Sequence, residues 1–346
     1  MINLKDLTYG ELEKFLGSVG EKPYRAGQIY SWLHSGVESF DEMTNISKDL
    51  RVRLEEVSFI SKPEVLDKLI SKDKTIKILW KLADGETIES VVMEYKHGNS
   101  ICISTQVGCK MGCKFCASTI GGKIRDLSAG EMLDEVIFAQ KVTGRKISNI
   151  VLMGIGEPLD NYDNVIKFLS NVGNPKGINI GYRHISLSTC GIVPNIDRLA
   201  EEGYPITLSI SLHAGDDETR TGIMPVNKKY KIDELINACK RYIEKTGRRI
   251  SFEYALIAGV NDSEEAAGKL YRLLKGMLCH INLIPVNSVK ESTLKRGSEK
   301  SIYKFKSMLE KRGLNVTVRR ELGSDISASC GQLRRKNQLG EGGECE

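Results

Sequence analysis

Apolar residues recur along this chain at two different periods, and the change from one to the other divides it. Up to about residue 72 they return every three or four positions. Leu12, Phe15 and Leu16 fall on one face of a predicted helix, and Ile29, Trp32 and Leu33 on one face of another. From Thr75 the period drops to two. Residues 75–80 and 87–93 read as strands joined across an Ala83-Asp84-Gly85 turn. From about residue 99 the two patterns alternate. Strands are predicted over 101–105, 147–154, 184–189, 206–213, 250–259 and 280–287, with helices in the intervals. Ser128-Ala-Gly-Glu131 is a capping box. Ile232, Leu235, Ile236, Cys239, Tyr242 and Ile243 form an apolar stripe, and Gly247 ends that helix. This alternation predicts an α/β fold, with a parallel sheet and right-handed crossovers; six units fit a partial (β/α)6 barrel. The expected organisation is a helical accessory unit over 1–72, a strand-pair connector over 73–98, the barrel core over 99–325 and a tail over 326–346.

Composition narrows the setting. The 346 residues are 40% hydrophobic and 27% charged, the balance of a soluble globular protein. No apolar run is long enough to cross a bilayer, and the first residues lack the basic-then-apolar order of a secretion signal. A cytosolic location is the expectation. There, nine cysteines serve as ligands, nucleophiles or core residues rather than as structural disulfides. A net charge of +5 permits nucleic-acid binding without requiring it. Lys22, Arg25, Lys48, Arg51 and Arg53 give the helical unit basic edges suited to RNA phosphates.

Three of the cysteines stand within eight residues, in Cys109-Lys-Met-Gly-Cys113-Lys-Phe-Cys116, spaced C-x3-C-x2-C. Gly108 and Gly112 allow the tight turns that bring three thiolates to one face of a soft metal centre. Structural zinc and self-contained clusters take four ligands. No Cys or His just downstream supplies a fourth. The economical reading is a [4Fe-4S] cluster held by three cysteines with one iron open. A zinc site, or three unrelated buried thiols, is the other reading of these residues. Chemistry in such folds gathers at the C-terminal ends of the strands. There the sequence places Gly156 and Glu157, then Ser188, Ser211, His213 and Asn287. Glu157 offers a carboxylate to an ammonium group.

The cysteine spacing resembles the radical S-adenosylmethionine (SAM) motif. Met153-Gly-Ile-Gly-Glu-Pro-Leu, Ile210-Ser-Leu-His-Ala, Pro225-Val-Asn-Lys-Lys-Tyr230 and Cys330-Gly-Gln-Leu extend the resemblance. From about residue 3 to residue 333 the chain is similar to the bacterial dual-specificity 23S rRNA and tRNA adenine-C2 methyltransferases. The resemblance implies methylation of one adenosine in 23S rRNA and of the adenosine 3′ to the tRNA anticodon. It implies one [4Fe-4S] cluster on Cys109, Cys113 and Cys116, two SAM consumed per turnover, and SAM contacts at Gly156, Glu157, Ser188, Ser211, Leu212, His213 and Asn287. It further implies Cys330 as the methyl carrier, Cys102 as its partner and Glu89 as general base. An electron donor such as a flavodoxin, no membrane, and action as a monomer complete the expectation. Strand alternation independently points Cys102 away from Ile101 and Ile103, toward the barrel lumen. Gly323, Ser327, Ala328, Ser329 and Gly331 suit a mobile loop around Cys330. A related adenine-C8 methyltransferase, and a zinc-bearing non-catalytic RNA-binding protein, are the alternatives. Cys345 has no counterpart in the family pattern.

Overall fold

The computed structural model describes residues 1–96, 98–287, 289 and 291–334. Cys345 and the basic pair Arg335-Lys336 of the tail lie outside the described residues. One sheet dominates. Its ten strands are β1 (Glu64–Ile70), β2 (Ile76–Lys81), β3 (Thr87–Tyr95), β4 (Gly98–Cys102), β5 (Ile147–Leu152), β6 (Ile185–Thr189), β7 (Thr207–Ser211), β8 (Ile250–Leu256), β9 (Cys279–Pro285) and β10 (Val316–Val318). They neighbour each other in chain order. Strands β1 to β4 are antiparallel, whereas β4 to β10 are all parallel.

Each parallel step needs a crossover, and helices supply it: α4 (Ala129–Thr143), α5 (Tyr162–Val172), α6 (Val193–Glu201), α7 (Asp217–Ile223), α8 (Ile232–Thr246), α9 (Glu264–Leu274) and α10 (Glu299–Glu310). Crossovers of one hand, taken always to the next strand, put the helices on one face and leave the other concave. The strands carry that asymmetry in their side chains. Ile150, Leu187, Ile210, Phe252 and Leu283 join the large helix-side core. The residues between them include Ser188, Ser211, Glu253 and Asn282, a polar inner face on which Asn282 donates to Glu253 at 2.8 Å.

The six predicted strands are present with adjusted ends, and β10 adds a seventh parallel strand too short for periodicity to reveal. The first of the six begins at Gly98 and stops at Cys102. Residues 106–108 then form a separate hairpin with Lys123–Asp126 that closes the cysteine loop. The helical expectation for 1–72 requires correction. Helices α1 (Tyr9–Ser18), α2 (Tyr24–Ser35) and α3 (Lys48–Val57) hold their own core around Leu12, Leu16, Ile29 and Leu33, but residues 64–70 are strand β1. This edge strand is largely exposed on both faces, so burial imposed no two-residue period on it. The strand pair of the connector is accordingly a three-stranded extension of the main sheet.

Candidate functional site

The cysteine loop is shaped by its glycines. Gly108 has φ +75°, and a Cβ there would stand 1.9 Å from the Gly122 carbonyl oxygen, so only glycine lets the loop close. Cys109 N–H donates to that same carbonyl at 3.1 Å, and Cys116 N–H donates to the Cys113 carbonyl at 3.1 Å. All three cysteines line one cavity at the strand ends. Among the described residues, no group of three or more His, Cys, Asp or Glu side chains could hold a metal ion as they stand. The donor chemistry nevertheless fits an iron–sulfur cluster. The three thiols are soft, face one cavity, and sit on a loop fixed by its own hydrogen bonds; a cluster is much wider than one ion and bridges thiols that a single ion needs in close convergence. Burial pushes all three thiols up, so they carry protons until a metal displaces them.

The opposite wall is built from strand ends. Glu157 is buried and accepts from Cys190 N–H at 2.7 Å and Leu159 N–H at 3.0 Å. Burial raises its pKa despite those donors. A ligand ammonium would offset that penalty. Gly156, at φ +108°, leaves no room for a side chain because a Cβ would meet Gln106 at 2.7 Å. His213 also has positive φ, accepts from Ala255 N–H at Nδ1, and packs edge-on against Phe115 at 4.8 Å. Burial, and then Arg220, lower its pKa to about 3, so the ring is neutral near pH 7. Gly156, Glu157, Ser188, Ser211, His213 and Asn287 all line the cavity with the cysteines. Leu212 does not line it; its side chain lies in the helix-side core.

A second cavity adjoins the first. Cys102, Met153, Asn287, Arg319 and Cys330 line it. Cys330, Asn287, Met153 and Arg319 line both. Cys102 turns away from Ile101 and Ile103 as the alternation predicts, and packs with Val91, Met93 and Ile155. Burial, and after it the nearby Cys330, push its thiol up to about 12. The segment carrying Cys330 is pinned at three points, which the expectation of a loose loop did not include. Ala117 N–H donates to the Gly331 carbonyl at 2.7 Å, Ser118 Oγ to the Leu333 carbonyl at 2.8 Å, and Asn287 Nδ2 to the Cys330 carbonyl at 2.9 Å. Glu89 lies behind this segment, buried. Its carboxylate faces Lys77 Nζ at 3.4 Å and accepts from Arg334 N–H at 2.9 Å, and it lines neither cavity.

Two arginines that sequence reasoning passed over hold this arrangement. Arg220 is fully buried and donates to the carbonyls of Cys190, Ser211 and Leu212 and to Asn227 Oδ1, tying the ends of β6 and β7 together. Asn227 belongs to the quoted Pro225-Val-Asn stretch, which is the one signal that could have found Arg220. Arg319 reaches Met153 Sδ at 3.5 Å, and Cys330, Glu253 and Cys102 act on its charge.

A half-barrel with a three-thiol loop after its first parallel strand defines a class. Residues 103–270 match the Radical SAM superfamily, and residues 2–60 match the Ribosomal RNA large subunit methyltransferase N-terminal domain. A crystal structure of a radical SAM methyltransferase from Sphaerobacter thermophilus is similar with a TM-score of 0.92 and 43% identity, over 96% of this chain and 99% of that one. The chain is 56% identical over 337 residues to the probable dual-specificity RNA methyltransferase RlmN of Desulforamulus reducens, spanning 97% of this chain and 96% of the relative. It is 57% identical to the protein of that description from Clostridium perfringens, spanning 97% of each. The chain belongs to the RlmN family of radical SAM proteins. That membership implies a [4Fe-4S] cluster and SAM. Among the described residues no helix is long and apolar enough to cross a membrane.

Proposed function

We propose that this chain methylates C2 of an adenosine in 23S rRNA and of the adenosine 3′ to the tRNA anticodon, with Cys330 carrying the methyl group. The observation that supports this reading is the position of Cys330, an exposed thiol on the shared wall of two cavities, one lined by Cys109, Cys113 and Cys116 and the other by Cys102. C2 of adenine is electron-poor and has no lone pair, so it cannot take a methyl from SAM directly. A thiolate can. Cys102 is protonated and buried at rest, which leaves Cys330 as the nucleophile.

Cys109, Cys113 and Cys116 hold one cluster, and Gly156, Glu157, Ser188, Ser211, His213 and Asn287 bind SAM, with Leu212 shaping the strand end from behind. When bound, the cluster supplies the electron that splits SAM to a 5′-deoxyadenosyl radical. Two SAM are consumed per turnover, one to methylate Cys330 and one to activate that methyl group by loss of hydrogen. Cys330 then presents its carbon to the ring; the adduct gives up one electron, which the cluster would take back, and its ring proton, which Glu89 accepts. Cys102 then attacks the Cys330 sulfur, so that a transient disulfide forms as the sulfur–carbon bond breaks and the released carbon takes a proton to become the product methyl. The C-terminal segment must shift for Glu89 to reach the base, because Arg334 N–H now occupies its carboxylate. An electron donor such as a flavodoxin reduces the enzyme, which works in the cytoplasm as a monomer.

Cys330→Ala is expected to yield neither methylcysteine nor methylated RNA. Cys102→Ala is expected to methylate Cys330 and then accumulate RNA crosslinked through it. Mass spectrometry of the product nucleosides distinguishes 2-methyladenosine from the 8-methyl isomer. Normal turnover by Cys102→Ala without a crosslink removes the resolving role.

A further inference from the structure

The Cys102–Cys330 cavity opens onto a shallow basic bowl. Tyr95 and Arg320 line both. The remaining wall of the bowl is Lys72, Asp73 and Lys74, from the β1–β2 turn, with Glu94 and Lys96 from the end of β3. Four cations against two acids give the bowl a net charge of +2 before any pairing is considered. They are not equally free. Asp73 accepts from Thr75 N–H and Gly323 N–H, both at 2.9 Å. Glu94 pairs with Arg145 at 3.6 Å. Asp325, next to the bowl, accepts from Ser71 Oγ at 2.5 Å and Lys72 N–H at 3.1 Å. By contrast, Lys72, Lys74, Lys96 and Arg320 are exposed, and among the described residues none of their side chains has an ion pair. The acids reach solvent too, but each is engaged by a donor of the fold, whereas among the described residues the four cations have no acidic partner. A concave surface with that imbalance concentrates anions.

We propose that this bowl binds the phosphates of the RNA strand flanking the target adenosine as its base enters the Cys102–Cys330 cavity. The inference rests on the RNA methyltransferase reading and assigns it a contact surface on the sheet extension, apart from the helical N-terminal unit. Two observations favour a nucleic-acid strand over a small anion. The cations come from three separate segments around one broad, open hollow, which has room for more than a single small anion. The hollow also meets the cavity mouth at Tyr95 and Arg320, where a nucleotide must leave its stack to be modified. The turn is tied to the Cys330 segment through Asp73–Gly323 and Asp325–Lys72. RNA held at the turn is therefore registered against the methyl-carrying thiol.

The test uses the full chain with its cluster and an anticodon stem-loop transcript. One variant combines Lys72→Gln, Lys74→Gln, Lys96→Gln and Arg320→Gln. A control removes the same charge from the outer helix side with Lys231→Gln, Lys240→Gln, Lys304→Gln and Lys311→Gln. Iron content checks that each is folded. The bowl variant is expected to bind the transcript about tenfold more weakly or worse, and its slope of log affinity against log salt to fall by about three to four. The control is expected to track wild type. Equal losses in both variants, or none in either, overturn the proposal. So does a bowl variant that keeps its RNA affinity but loses reduction by flavodoxin, since the surface then serves a protein. A wild-type chain that neither binds nor methylates the transcript brings down the underlying functional reading instead.

Discussion

At the scale of single residues, the site depends on positions where a side chain either cannot exist or cannot be lost. Gly108 is of the first kind. Its positive φ and the 1.9 Å clearance to the Gly122 carbonyl leave no conformation for alanine. Gly108→Ala is expected to open the cysteine loop. Iron and sulfide per chain should drop sharply, while the far-UV circular dichroism of the helices stays intact. Arg220 is of the second kind. Removing it leaves three carbonyls and Asn227 Oδ1, most of them buried, without their donor. Arg220→Met is expected to cost about 3 kcal/mol in urea unfolding, and Arg220→Lys to recover only part, because an ammonium cannot span the acceptors a planar guanidinium spans. The contrast explains what the sequence disclosed. Cys109, Cys113 and Cys116 are legible because a loop gathers them within eight residues. Arg220 is not, because its partners lie 30 residues away at Cys190 and on a strand end at Ser211. Arg319 is hidden for the same reason.

At the scale of elements, legibility follows burial. Strands β5 to β9 show their alternation because one face meets helices and the other a polar hollow. Edge strand β1 meets neither, and its sequence reads as helix. The joint between the N-terminal helices and the barrel is likewise invisible to periodicity, since it consists of polar pairs. Lys5 Nζ reaches Asp134 on α4 at 2.5 Å, both fully buried, and Asn171 Nδ2 donates to the Lys5 and Leu7 carbonyls. Burial raises the Asp134 pKa to about 6 even with Lys5 beside it, so the pair is held by geometry rather than by a large electrostatic gain. Lys5→Met is expected to destabilise by about 3–5 kcal/mol, and Lys5→Met with Asp134→Leu to regain most of it. His34 in α2 gives the same joint a pH dependence. It accepts from Ile178 N–H at 3.3 Å, and burial lowers its pKa to about 3. Between that value and the ordinary 6.5, the unfolded chain binds a proton the folded chain refuses. Stability from His34 is therefore complete above pH 6.5 and is lost as pH falls toward 3, about 2 kcal/mol of it by pH 5. Urea unfolding of His34→Gln is expected to show a shallower loss over pH 5 to 6.5 than wild type.

At the scale of the whole molecule, the N-terminal unit and the barrel divide the labour in the proposed reaction. SAM chemistry needs the strand ends, the cysteine loop and the Cys330 segment, all contributed by residues beyond 98. A folded RNA needs a wider grip than one cavity mouth, and the N-terminal unit carries basic positions at Lys22, between its first two helices, and at Arg25 and Arg51 on α2 and α3. The revised boundary decides how that division is tested. Deleting 1–72 would remove β1, expose the edge of β2 and take Lys72 out of the basic bowl. Deleting 1–60 keeps the sheet whole but strands Asp134 without Lys5, so Asp134→Asn is introduced to relieve the buried charge. The chain lacking 1–60 with Asp134→Asn is expected to retain its iron, cleave SAM and methylate Cys330, while its RNA methylation falls at least a hundredfold. Raising the RNA concentration should recover part of the rate, because the loss lies in binding and not in the chemical site. Full-rate RNA methylation by this chain would mean that the barrel and its bowl recognise RNA unaided. Loss of SAM cleavage together with RNA methylation would mean that the helices support the chemical site itself, through the Lys5 and Asn171 contacts that join them to α4 and α5.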